Sequence, residues 1–118
     1  MTGTLFDDIA KSAVISDCGT YRYLLTRTWD ASLPNVGFIM LNPSTADASQ
    51  DDPTIRRCVG FAKAWGYGGI AVRNLYALRS TDPRALRTHP DPHGPDNWRY
   101  VEAVADGLTV CAWGAHAD

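Results

Sequence analysis

The sequence predicts an α/β fold, a three-layer α/β/α arrangement with a mainly parallel central sheet and an N-terminal β-hairpin. Three observations predict it. Three apolar runs, residues 36–41, 70–74 and 108–112, read as strands buried on both faces. The segments between them carry helical signals, so the order β-α-β-α-β emerges, and right-handed crossovers make those strands parallel. Each run also ends in polar residues: Asn42-Pro43-Ser44-Thr45-Ala46-Asp47, then Asn74 through Asp82, then Trp113-Gly114-Ala115-His116. In a parallel sheet those clusters meet beyond the carboxyl ends of the strands, where open α/β sheets bind ligands.

The elements follow in order. Residues 21–28 are β-rich, and residues 13–16 pair with them across Asp17-Cys18-Gly19 to make the hairpin. Ser32-Leu33-Pro34-Asn35 breaks the chain before the first buried run. Asp51 or Asp52 caps the next helix, with Pro53 in its first turn. Ile55, Cys58, Val59, Ala62 and Trp65 recur at helical spacing, and Gly66 closes the helix. Gly68-Gly69 feeds the second run. A connection rich in proline (Pro83, Pro90, Pro92, Pro95) leads to a second helix over about 96–106, with Val101, Val104 and Ala105 in its apolar stripe.

A chain of 118 residues is one domain. Hydrophobic content of 45% and charged content of 20% are ordinary for a globular protein. No apolar stretch reaches the roughly 18 residues of a membrane span, and Asp7 and Asp8 stand where a signal peptide would be basic. The expected location is the cytoplasm. Cys18, Cys58 and Cys111 lie in no metal-ligand spacing and read as reduced, the latter two as core. No metal and no cofactor are expected. A net charge of −2 gives no global attraction to nucleic acid, so such binding needs a local basic face.

The clusters offer specific chemistry. Asn42 precedes a proline that holds it extended; its amide positions a water or reads a heterocycle edge, or else closes an Asx turn. Ser44 and Thr45 present hydroxyls and N–H groups to a phosphate, or merely complete that turn. Asp47 is the candidate general base, the alternative being a solvated loop acid. Arg56 and Arg57 oppose the helix dipole in its first turns, at roughly 0.3–1 kcal/mol each. Pairing with Asp51 or Asp52 explains one of them; a phosphate explains both. Asn74 follows its strand as Asn42 does and is placed to reach a planar ligand, on which Tyr76 could stack. Arg79 is an anion-binding candidate because its guanidinium matches phosphate bidentately. Trp113 and Gly114 end the third run, where glycine permits close approach. No role is assigned to His89 and His93.

Taken together these residues resemble a bacterial and phage family, domain of unknown function 1643. The stretches "YRYLLTR", "FIMLNPSTADASQDDPTIRRCVGFAKAWGYGG", "VRNLYALRSTDP" and "CAWGAHA" carry the resemblance over about residues 21–116. A more distant resemblance is to the uracil-DNA glycosylase superfamily. There Asn42-Pro43 matches a catalytic motif after the first core strand, Asn74 a base-reading Asn, and Ala112-Trp113-Gly114 a later strand end. That superfamily closes with a His-Pro loop near its C-terminus, and the expectation is that this chain ends before such a segment. The expectation is one α/β domain over residues 1–118, C-terminally truncated, whose last strand would otherwise feed another helix.

Two functions compete. One is a nucleobase-directed N-glycosidic hydrolase: Asn74 reads the base, Tyr76 stacks on it, Asn42 positions water, Asp47 accepts its proton, and Arg56, Arg57 and Arg79 hold phosphates. The other is a non-catalytic nucleic-acid or nucleotide binding module on the same scaffold. Metal-assisted phosphoester hydrolysis through Asp47, Asp51, Asp52 and Asp82 ranks last, for want of a tight ligand spacing.

Overall fold

The structure, a computed structural model, describes residues 9–82, 84–102 and 108–112. Among them are strands β1 (Ala10–Ile15), β2 (Arg22–Thr28), β3 (Asn35–Met40), β4 (Gly69–Asn74) and β5 (Thr109–Ala112). The helices are α1 (Pro53–Ala64), α2 (Ala85–Thr88) and α3 (Asn97–Glu102).

The strands form one sheet in the order β1-β2-β4-β3-β5. The three apolar runs are parallel neighbours as expected: β3 pairs with β4 on one side and with β5 on the other. The hairpin alters the whole. β1 and β2 are antiparallel, and β2 then joins the free edge of β4, also antiparallel, from Leu25 opposite Val72 to Thr28 opposite Gly69. The sheet is therefore mixed, not mainly parallel. The tight turn at Gly19, whose φ of 77° suits glycine, returns the chain beside itself, so a reversed strand is delivered to the edge of β4.

The core lies where α1 covers the sheet. In the parallel register Val36 stands beside Ile70 and Phe38 beside Val72, so one face of β3 and β4 presents these four side chains. Leu25 joins them from β2, and Ile55, Cys58 and Ala62 from α1. Asp52 is the N-cap, its carboxylate accepting from Ile55 N at 2.9 Å. Gly66, at φ 81°, follows the helix end. Trp65, expected in the apolar stripe, is instead the C-cap and 47% exposed, since the last turn rotates it past the sheet. Cys58 is buried, but Cys111 is exposed, because β5 is the edge of the sheet among the described residues.

Gly68 enters β4 under backbone crowding. Its carbonyl accepts from Trp29 N and Asp30 N, and its N–H donates to Pro34 O. A Cβ there would collide with the Asp30 carbonyl. The second predicted helix is described as α3, six residues packed against β2 and β4; residues 103–107 lie outside the described set. Tyr100 of α3 stacks on Tyr23, ring centroids 5.3 Å apart.

Candidate functional site: a cleft at the carboxyl ends of β3 and β4

Two buried arginines of β2 shape the loop between β3 and α1. Arg27 donates from Nε to Asp51 at 2.7 Å and from Nη2 to the carbonyls of Asp47 at 2.6 Å and Gln50 at 3.2 Å. Arg22 donates from Nη1 to the Ala46 carbonyl at 3.1 Å. Asp52 reaches back and accepts from Ala46 N at 3.2 Å. The loop is thus fixed from below by the sheet and from behind by the helix cap.

Over it opens a cleft of about 180 Å³, bordered by Arg22, Asn42, Ser44, Asp52, Thr54 and Asn74 among others. It stands at the carboxyl ends of β3 and β4, where the polar clusters were expected to converge. The two asparagines face it with different groups. Asn42 donates from Nδ2 to the carbonyls of Ser80 at 2.9 Å and Pro43 at 3.1 Å, stitching two loops together. Those bonds use both amide protons, so Oδ1 is the polar atom it retains for a ligand. Asn74, 2% exposed, accepts at Oδ1 from Arg22 Nη2 at 3.4 Å and retains its amide donor.

Arg22 is the site residue that sequence reasoning missed. It is 2% exposed, and its Nε has no hydrogen-bond partner among the described residues. Burial pushes its pKa down to about 10, with Arg79 and Arg27 adding to the effect and Asp52 opposing it. The guanidinium stays charged at neutral pH. Its signal was an arginine inside an apolar strand, "YRYLLTR", which pattern reading treats as a solvated edge position.

The other expected residues are distributed more widely. Pro43 is buried and Ser44 borders the cleft, whereas Thr45 is exposed and outside it. Asp47 accepts at Oδ1 from Ser49 N at 2.9 Å and Gln50 N at 2.8 Å. These backbone bonds lower its pKa, and they make it the acceptor of a tight turn outside the cleft. A carboxylate held this way is a weak proton acceptor. Tyr76 lies against His93, centroids 4.4 Å apart. Arg79 donates from Nη1 to Gly19 O at 3.2 Å, binding the hairpin turn; its Nε is buried without a partner among the described residues. Arg56 and Arg57 border a separate surface concavity with Pro53, Gly60 and Phe61. Trp113 and Gly114 lie outside the described residues.

Among the described residues no three His, Cys, Asp or Glu side chains converge as metal ligands. No helix there is long and apolar enough to cross a membrane. In comparisons with known proteins, no curated protein and no solved structure matches the chain. A family profile does match, over residues 22–118, which take in the cleft and both arginines behind it. The chain belongs to the family described as protein of unknown function, DUF1643.

Proposed function

We propose that the cleft binds a nucleobase or nucleotide. The observation that carries this reading is Arg22: a charged guanidinium, almost wholly buried, that borders the cleft beside two asparagines. A buried cation with no ion pair among the described residues is costly, and an anionic or carbonyl-bearing ligand beside it would offset that cost. Asn74, Asn42 and Ser44 border the same cleft. A cation and two amides suit a planar heterocycle with an anionic or carbonyl-rich edge. About 180 Å³ is smaller than the ~300–1,000 Å³ of drug-sized sites and admits a single ring system. The test is calorimetric titration with free bases and mononucleotides. Binding should appear and be lost in both Arg22→Met and Asn74→Ala; failure of the whole panel to bind overturns the reading.

N-glycosidic hydrolysis is the second reading, in keeping with the resemblance to uracil-DNA glycosylases. It is favoured by Asn42 and Asn74 bordering one cleft, the first amide able to orient a water and the second to hold a base. Asn42 cannot take up the water's proton, and Asp47 is spent on its turn, so binding without turnover is the stronger reading. Chromatographic detection of free base released from uracil-containing and damaged oligonucleotides separates the two.

A further inference from the structure

The outer face of α1 carries cations and aromatic rings that the cleft does not use. Its sequence, PTIRRCVGFAKA, contains Arg56, Arg57 and Lys63 and no acidic residue. Arg57, Phe61 and Trp65 succeed one another at spacings of four and fall on one stripe, about 12 Å long at 1.5 Å per residue. Phe61 and Trp65 are 51% and 47% exposed and stacked, with centroids 5.6 Å apart and planes 17° from parallel. Arg56, Gly60 and Lys63 run alongside, and apart from its chain neighbours and the helix's own backbone no atom of the described residues lies within 4 Å of where a Gly60 Cβ would be.

The acids that could neutralise these cations are engaged elsewhere. Asp51 is held by Arg27 at 2.7 Å and by Lys11 at 3.8 Å. Asp52 is buried as the helix cap. Among the described residues neither Arg56 nor Arg57 forms an ion pair; Arg56 donates only to the Asp51 carbonyl, at 3.4 Å. Two cations oppose the helix dipole with no internal compensation.

This face is also continuous with the cleft. Met40 and Thr54 border the cleft and equally a neighbouring groove of about 220 Å³ lined by Arg57, Phe61 and Trp65. Exposed rings interleaved with unpaired cations are the composition that binds single-stranded nucleic acid, phosphates on the cations and bases on the ring faces. An apolar partner would have no use for the uncompensated arginines.

We propose that the outer face of α1 is a track for single-stranded nucleic acid, delivering one end of the strand across Met40 and Thr54 to the cleft. The track extends the cleft reading from one nucleotide to a strand, and rests on that reading only for where the strand leads.

The test titrates the full chain with oligothymidylate and oligouridylate, read by tryptophan fluorescence and by anisotropy of a labelled strand. Binding should quench the fluorescence, and Trp65→Ala should remove most of that quench. Phe61→Ala and Trp65→Ala should each weaken binding about tenfold. Arg56→Ala with Arg57→Ala should reduce the salt slope by about 0.7 for each phosphate that is no longer neutralised. All four sites are exposed, so circular dichroism should show each variant folded. Mononucleotide affinity should be unchanged in the ring variants, which separates the track from the cleft. Mononucleotide binding with no gain for a strand, or strand binding indifferent to Phe61, Trp65 and both arginines, overturns the track and leaves the cleft reading standing. Strand binding that depends on the rings while mononucleotides fail would support the track and sink the cleft. Preferential capture by anionic vesicles or an acidic peptide, through the same rings, also overturns it.

Discussion

Arg22 of β2 and Asn74 at the end of β4 meet across neighbouring strands, Nη2 to Oδ1 at 3.4 Å, and both are 2% exposed. The bond fixes the Asn74 amide so that its donor, not its acceptor, is presented to the cleft. The same residue is tied from behind, its carbonyl accepting from Asn97 Nδ2 at 2.8 Å. A polar group fixed from two sides while one donor stays free is arranged for recognition more than for stability.

Arg22→Met should therefore separate stability from binding. Removing a buried cation that forms no ion pair among the described residues relieves its desolvation, which offsets the bonds lost to Ala46 and Asn74. The urea midpoint should hold or rise, while nucleotide affinity falls by about 1.5–3 kcal/mol, the worth of a bond to a charged group. A large loss of stability in this variant would make Arg22 a structural residue.

Arg27→Ala should behave in the opposite way. Its guanidinium holds Asp51 and the carbonyls of Asp47 and Gln50, and its loss leaves the partly buried Asp51 carboxylate with only the longer Lys11 contact at 3.8 Å and both carbonyls without their donor. The expected cost is about 3–5 kcal/mol in chemical denaturation. Arg27→Lys should recover little, since an ammonium cannot span the same acceptors.

Asp47→Asn tests the base role directly. Asparagine keeps the Oδ1 acceptor for Ser49 N and Gln50 N, so the turn and any base release should survive. The variant should also lose a pH dependence. Asp47's folded pKa is lowered, chiefly by those backbone bonds, so it stabilises the fold above its ordinary value. That contribution is lost as pH falls through the lowered value. Thermal midpoints between neutral and acidic pH should fall less steeply in the Asn variant. Abolished base release with an intact fold would restore Asp47 as a base.

Cys18 should alkylate early. Hydrogen bonding with Ser16, then Thr20, lowers its pKa from 9.0 to about 7 in the hairpin turn. Its iodoacetamide rate, followed by peptide mass, should rise with a midpoint near that value and shift upward in Ser16→Ala. Cys58, raised to about 11 chiefly by burial, should stay unmodified in the native protein.

Much of the scaffold was legible because periodicity and punctuation report it locally. The parallel β3, β4 and β5, the cap of α1 and the placement of Asn42 and Asn74 at one sheet edge all follow from apolar runs and the polar residues that end them. What was not legible depends on pairing at a distance. Nothing around residues 22–28 says that β2 will lie on β4, so the mixed sheet was missed, and Arg22 and Arg27 with it. Asp47, read as an unexplained acid, was explained by Ser49 and Gln50, two and three residues away. Arg79, an anion-binding candidate by its chemistry, also binds the hairpin turn sixty residues earlier, a partner that no local pattern reports.

The strand order also dictates when the protein can fold. β3 is an interior strand, yet both its partners come later in the chain, β5 some seventy residues after it. During synthesis the β1–β2 hairpin can close at once, whereas β3 emerges with two open edges and gains the second neighbour only after residue 112 is made. Such non-local pairing slows folding. Until then an apolar strand with bare backbone groups is offered to any other nascent chain, making β3 the segment most in need of a chaperone's protection.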